Sequence, residues 1–147
     1  MVSESFAFYI SVLRKYFVSY CTDKMNELGV TYGQLFVLIY ISKKGECSPK
    51  EITEYLKLDA GHLNRIITKL IEKELIIQRK NINDRRANIV NLTDRGLLIV
   101  KESQKLFYEW DKEILSEIDD NSRQELMNLM KDIVFKLNEK MEEEKNE

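Results

Sequence analysis

A chain of 147 residues is one domain-sized unit, long enough to bury a core, and 44% hydrophobic with 33% charged residues describes a globular protein with a charged surface. No run of about 18 uncharged apolar residues and no basic-then-apolar leader pattern occurs, so neither a membrane span nor a secretory signal is expected, and the cytoplasm is the expected location. The net charge of −2 is unevenly spread: eight Lys or Arg face four Asp or Glu from Ala60 to Arg95, but six face thirteen from Glu109 to Glu147, an asymmetry expected of a polyanion-binding face.

Five Gly and one Pro predict long helices. Phe6, Ile10, Leu13, Phe17, Tyr20 and Leu28 recur at helical spacing and predict a first helix ended by Gly29. Thr31 can cap a second helix carrying Leu35, Leu38 and Ile39, stopped by Gly45. Ser48-Pro49-Lys50-Glu51 reads as a capping box with Pro at the first helical position, opening a short helix with Ile52, Tyr55 and Leu56 inward. After Lys57 to Asp59, with Asp59 as its cap, a fourth helix is expected from Ala60 to about Glu74, with Leu63, Ile66, Ile67, Leu70 and Ile71 as its apolar stripe. Two helices joined so tightly match a helix-turn-helix.

Leu75-Ile76-Ile77 and Ile89-Val90-Asn91-Leu92 flank the polar segment Lys80 to Arg86 and predict a β-hairpin with a long tip. Thr93 then caps a helix reaching about Ile118. A second capping box, Ser122 with Glu125, opens a last helix striped by Leu126, Leu129, Met130, Ile133, Val134, Leu137 and Met141. The first and last helices carry more apolar face than a small DNA-reading core can cover, so a partner subunit is expected to cover the rest. The predicted fold is mainly α with a small β-hairpin: a winged helix-turn-helix lobe over 31–94, with helical dimerisation regions over 1–30 and 95–147.

An α-helix fits the DNA major groove, and the fourth helix presents Ala60, Gly61, His62, Asn64, Arg65, Thr68, Lys69 and Glu72 opposite its stripe. Arg65 suits guanine and Asn64 adenine, while Gly61 suits close approach of the backbone. His62, the single histidine, is expected to be a contact or surface residue. The hairpin tip, Asn83-Asp84-Arg85-Arg86 behind Arg79-Lys80, can enter the narrow minor groove, with Asp84 as an intraprotein partner that holds one arginine. Either face taken alone is also what a solvated surface looks like; the wing, placed after a helix-turn-helix, tips the balance toward DNA.

The helix order, the stretch LDAGHLNR and the stretch NDRRANIVNLTDRG resemble the multiple-antibiotic-resistance regulator (MarR) family over essentially the whole chain. The resemblance implies a homodimer whose first and last two helices interlock, with recognition helices in successive major grooves and wings in the flanking minor grooves of a pseudopalindromic operator. It implies that Arg86 is the minor-groove arginine, Asp84 the residue orienting it, Arg65 the recognition-helix arginine, and Ser48 and Lys50 phosphate contacts. It also implies a repressor released by a small phenolic or anionic effector, for which Tyr9, Tyr16, Tyr20, Phe36 and Tyr40 are the aromatic inventory, although core or dimer packing is the expected role of each. Gly61 and His62 stand where many members carry Ser or Thr, and Glu74 where Gly commonly opens the first wing strand, so base preference does not transfer and the start of the hairpin is expected to differ.

Cys21 and Cys47 have neither CxxC spacing nor enough companion ligands for a metal site. Inert thiols are the expected reading of both; a thiol-sensing regulator using Cys21 or Cys47 is the alternative they leave open, since a place just before a helix N-terminus favours a lowered pKa at Cys47. A winged helix that docks protein instead of DNA is the other. With no Gly-rich phosphate loop, no metal-ligand cluster, one His and no cofactor motif, an enzyme is not expected.

Overall fold

The computed structural model describes residues 4–147. Six helices and three short strands follow in the order α1 (Phe6–Leu28), α2 (Tyr32–Lys44), β1 (Glu46–Cys47), α3 (Pro49–Leu56), α4 (Ala60–Glu72), β2 (Ile76–Lys80), β3 (Asn88–Leu92), α5 (Asp94–Ile114) and α6 (Asp120–Lys145). The predicted hairpin is β2 and β3, antiparallel with Ile76 opposite Leu92 and Lys80 opposite Asn88. It belongs to a three-stranded sheet of order β1-β3-β2, because Glu46 and Cys47 pair with Asn91 and Val90. Two residues are too few to show the alternation that announces a strand, so β1 carries no signal of its own.

Caps explain most boundaries. Gly29 ends α1 at φ 76°, a left-handed conformation costly for any residue with a Cβ. The Thr31 hydroxyl accepts the Gln34 N–H and the Gln34 side chain accepts the Thr31 N–H, a capping box for α2. Ser48 and Glu51 make the same reciprocal pair for α3, with Pro49 at the first helical position. Asp59 Oδ1 accepts the His62 N–H at 2.7 Å and opens α4.

Three boundaries depart from expectation. Helix α4 stops at Glu72, and Glu74 then turns the chain at φ 60°. Helix α5 stops at Ile114 instead of about Ile118. The cap of α6 is Asp119, not Ser122: Asp119 Oδ1 accepts the Ser122 N–H and Oδ2 the Ser122 hydroxyl, both at 2.9 Å, which holds the Asp119 carboxyl below the usual carboxylate range. A carboxylate at the cap outcompetes a hydroxyl because its charge also meets the helix dipole. Ser122 is thereby displaced to the third helical position.

The glutamate at position 74 adopts the left-handed turn that glycine would supply, so the hairpin starts as it would with Gly. That conformation costs roughly 1–2 kcal/mol for a residue with a Cβ. Opposing the cost, the Thr93 hydroxyl donates to the Glu74 carbonyl at 2.7 Å, and Arg95 Nη1 reaches the Glu74 carboxylate at 3.1 Å.

Of the described residues, 4–108 form one compact unit and Glu109–Glu147 a second. In the first, α2 is apolar on most sides and sits in the middle of the core: Leu35, Val37, Leu38, Tyr40 and Ile41 are buried. Around it gather Cys21 and Met25 of α1, Ile52 of α3, Leu63, Ile66, Ile67 and Leu70 of α4, Ile76 and Val90 of the sheet, and Val100 and Leu106 of α5. Burying each α4 residue contributes roughly 2 kcal/mol. Ile71, expected in the same stripe, lies exposed at its edge. Helix α1 and the first part of α5 therefore pack into the same unit as the helix-turn-helix. In the second unit, Arg123 Nη2 donates to the carbonyls of Leu115 and Ile118, closing the turn before α6.

Candidate nucleic-acid interface

Recognition requires a polar helix face held at a fixed angle. Helices α3 and α4 are joined through Lys57, which takes the left-handed conformation at φ 56° and donates its N–H to the Thr53 carbonyl. With its apolar stripe buried, α4 turns Ala60, Gly61, His62, Asn64, Arg65, Thr68 and Lys69 to solvent. Nothing within the protein demands glycine at 61: a Cβ there would meet Asp59 Oδ1 at 3.4 Å and Arg65 Nη1 at 3.8 Å, ordinary contacts. Lys69 is paired with Glu72 at 3.2 Å, both exposed. At the head of α3, Lys50 is exposed, while the Ser48 hydroxyl accepts the Glu51 N–H and keeps its own proton available to donate.

The far end of α4 is anchored by a residue that sequence reasoning passed over. Lys73 Nζ donates to the Gly29 carbonyl at 2.9 Å and to Gln34 Oε1 at 2.8 Å, tying the end of the recognition helix to the α1–α2 corner. A lysine at the end of an amphipathic helix carries no sequence mark that separates an anchor from a solvated charge.

The wing is loop 81–87 between β2 and β3. It is closed by Asn81 N–H to the Ala87 carbonyl and Ala87 N–H to the Asp84 carbonyl, both 3.0 Å. Asp84 Oδ1 accepts from the Arg86 N–H at 3.1 Å and from Arg86 Nε at 3.2 Å. The Arg86 side chain is nonetheless 93% exposed, so the carboxylate fixes one edge of the guanidinium and leaves the other pointing outward. Arg85 is exposed beside it. Arg79 is different: it is ion-paired to Glu46 across the sheet, which turns it toward its own protein.

The expected aromatic set does not converge on one cavity. Tyr40 is buried and stacks on Tyr55 with ring centroids 4.6 Å apart, which makes it core. Phe36 belongs to a ring cluster with Tyr32, Phe17 and Phe107. Lys24 Nζ donates to the Tyr20 hydroxyl at 2.8 Å, and Tyr9 and Tyr16 are exposed on α1. A groove of about 490 Å³ lies instead between α1 and the start of α2, lined by Ser11, Arg14, Lys15, Val18, Ser19 and Tyr32. Four of these are polar or charged and Tyr32 is the one ring among them, so no aromatic pattern in the sequence marks the groove.

Burial pushes both thiols up, Cys21 and Cys47 alike to about 11, with Glu51 adding to the effect at Cys47. The place of Cys47 before a helix N-terminus does not lower its pKa, because its side chain is buried in the core and burial outweighs the dipole. A thiol raised in this way is protonated at neutral pH, the less nucleophilic form. Among the described residues no cluster of three metal-ligating side chains occurs, and no helix is long and apolar enough to cross a membrane.

A MarR family model matches residues 30–87. The transcriptional regulator BilQ of Clostridium symbiosum is 30% identical over 129 residues, which are 88% of this chain and 90% of the relative. The chain belongs to the MarR family. A MarR regulator from Methanosarcina mazei, 28% identical, superposes with a TM-score of 0.81 over 90% of this chain and 95% of its own. The fold also matches a mutant MarR of E. coli complexed with operator DNA, at 24% identity and a TM-score of 0.73 over 85% and 90% of the two chains. The chain is thus a DNA-binding MarR-family transcription regulator of winged helix-turn-helix fold, and its relatives are regulators, not enzymes.

Proposed function

We propose that the chain acts as a homodimeric repressor that binds a pseudopalindromic operator and is released by a small anionic aromatic effector. The observation that carries the DNA-reading geometry is the Asp84–Arg86 pair. It holds an almost fully exposed arginine at a wing tip, on the same compact unit as an exposed polar recognition helix. Arg65 and Asn64 read base edges in the major groove, Arg86 enters the minor groove, and Lys50 and Ser48 hold phosphate. Two uncovered apolar faces support the dimer: Phe6, Tyr9, Ile10, Leu13 and Tyr16 on α1, and Leu126, Leu129, Ile133, Val134 and Leu137 on α6, all exposed in the single chain.

Arg86→Ala should weaken operator binding about 100-fold in a gel-shift titration while circular dichroism stays native, because each contact is worth roughly 1–3 kcal/mol and a dimer loses two. Unchanged affinity would remove the wing from the interface. The footprint should show half-sites about 10 bp apart.

For release, the α1–α2 groove is the better seat than the scattered tyrosines. Arg14 lies 6.0 Å from the Tyr32 ring centroid, so one wall offers a guanidinium and a ring face together, suited to an aromatic carboxylate. Arg14→Ala should leave operator affinity within about twofold but raise the aromatic acid concentration needed for release about tenfold, the loss of one charge-assisted contact. An unchanged release curve would place the effector elsewhere.

A further inference from the structure

Ile82 is 87% exposed, more than any other large apolar side chain among the described residues. It stands in the wing loop, where its neighbours are tied down: Asn83 donates its N–H to Asn81 Oδ1 at 2.9 Å, Asn81 and Asp84 bond to Ala87, and Asp84 holds Arg86. The loop therefore has a defined shape, from which one β-branched side chain projects with a stiff χ1. Folding gains nothing from an isoleucine left in water, and a loop of asparagines and charges has no packing use for it. The surface that meets this loop in the regulator's working state is the minor groove, whose walls are sugar carbons and whose floor is the edge of a base stack.

Resting on the DNA-reading assignment above, we propose that Ile82 is an apolar wedge that enters the minor groove with Arg86 and presses into a base step, so that the wing reads how easily the flanking DNA deforms. Apolar side chains at minor-groove contacts part base steps in this way, and the energy they need depends on the step: pyrimidine–purine steps open easily, A-tracts resist. The two tip residues then pull in opposite directions. Arg86 favours the narrow groove of an A-tract, whereas Ile82 favours a flexible step. Removing one should reveal the preference of the other.

The test uses a duplex recovered by the wild-type protein from a random library, remade with either a TpA step or an A-tract beneath each wing, in fluorescence anisotropy titrations. Wild type should bind the TpA duplex at least as tightly as the A-tract duplex. Ile82→Ala should lose about tenfold on the TpA duplex and stay within about twofold on the A-tract duplex, while Ile82→Leu restores wild-type behaviour. With 2-aminopurine at the TpA step, wild type should raise the fluorescence by unstacking the base and Ile82→Ala should not. If Ile82→Ala matches wild type on both duplexes, the wedge is overturned and the DNA-reading assignment stands. If wild type recovers no duplex from the library, the DNA-reading assignment itself fails and the wedge with it.

Discussion

Raising salt from about 50 to about 200 mM is expected to lower the affinity of the proposed dimer for its operator about 10³- to 10⁵-fold. A chain of net charge −2 has no general attraction for DNA, so the effect must come from local cations. Each lobe exposes Lys50, Arg65, Lys80, Arg85 and Arg86. Arg79 contributes less, because Glu46 holds it across the sheet, whereas Lys69, in an exposed pair with Glu72, stays available. The Asp84–Arg86 pair does not remove Arg86 from this set, since an ion pair this exposed is weak and a phosphate competes for the open edge. Two lobes then neutralise roughly 6–10 phosphates, each contributing about −0.9 to the slope of log affinity against log salt. Anisotropy titrations across the salt series measure that slope directly. A value near zero would mean that the lobe docks protein instead of DNA.

Gly96→Ala is expected to destabilise the protein by about 3 kcal/mol or more, at the top of the range for forced overpacking. A Cβ at this position would lie 2.1 Å from the Leu75 carbonyl oxygen and 3.1 Å from its carbon, both backbone atoms that cannot swing aside. The same carbonyl accepts the Thr93 N–H at 3.0 Å, and the Thr93 hydroxyl accepts the Gly96 N–H at 3.1 Å while donating to the Glu74 carbonyl. Thr93 and Gly96 thus bolt the start of α5 to the turn between recognition helix and wing, and any shift that makes room for a methyl breaks those bonds. Gly61→Ala is the internal contrast. Its Cβ has room, so helix stability should rise by about 1 kcal/mol while operator affinity falls if the backbone there approaches DNA. Urea melts of the two variants at equal protomer concentration should shift in opposite directions; a Gly96→Ala variant as stable as wild type would refute the close-approach reading.

The Leu-Thr-x-x-Gly pattern at 92–96 illustrates how much of the molecule was legible in advance. As a pattern it pointed to the family, but its physical reason, a carbonyl from residue 75 lying against residue 96, appears only when distant segments are folded together. Local chemistry was readable throughout: Gly29, Thr31, Ser48 and Asp59 cap where a residue-by-residue reading places them, since a cap involves atoms three or four residues apart. The cap of α6 was misassigned, since Asp119 and Ser122 both offered an oxygen and the carboxylate, whose charge also meets the helix dipole, takes the position. The lowered pKa that the place of Cys47 before a helix left open is settled only by the fold, which buries the side chain and raises it instead.

By itself, the sequence of this chain determined the periodicities, and these are enough for a helix-turn-helix followed by a wing, because amphipathic spacing and turn residues act within one or two helical turns. Tertiary structure decided which charges are tied to the protein and which stay exposed. Arg79 and Arg86 look equivalent in sequence, yet Glu46, thirty-three residues away, claims the first, whereas Asp84, two residues away, leaves the second exposed. It likewise decided that Lys73 is an anchor and that the groove beside α1 is lined by Arg14 instead of a ring of tyrosines. Pairing between charges far apart in the chain depends on where the backbone brings them, and no local pattern encodes that distance.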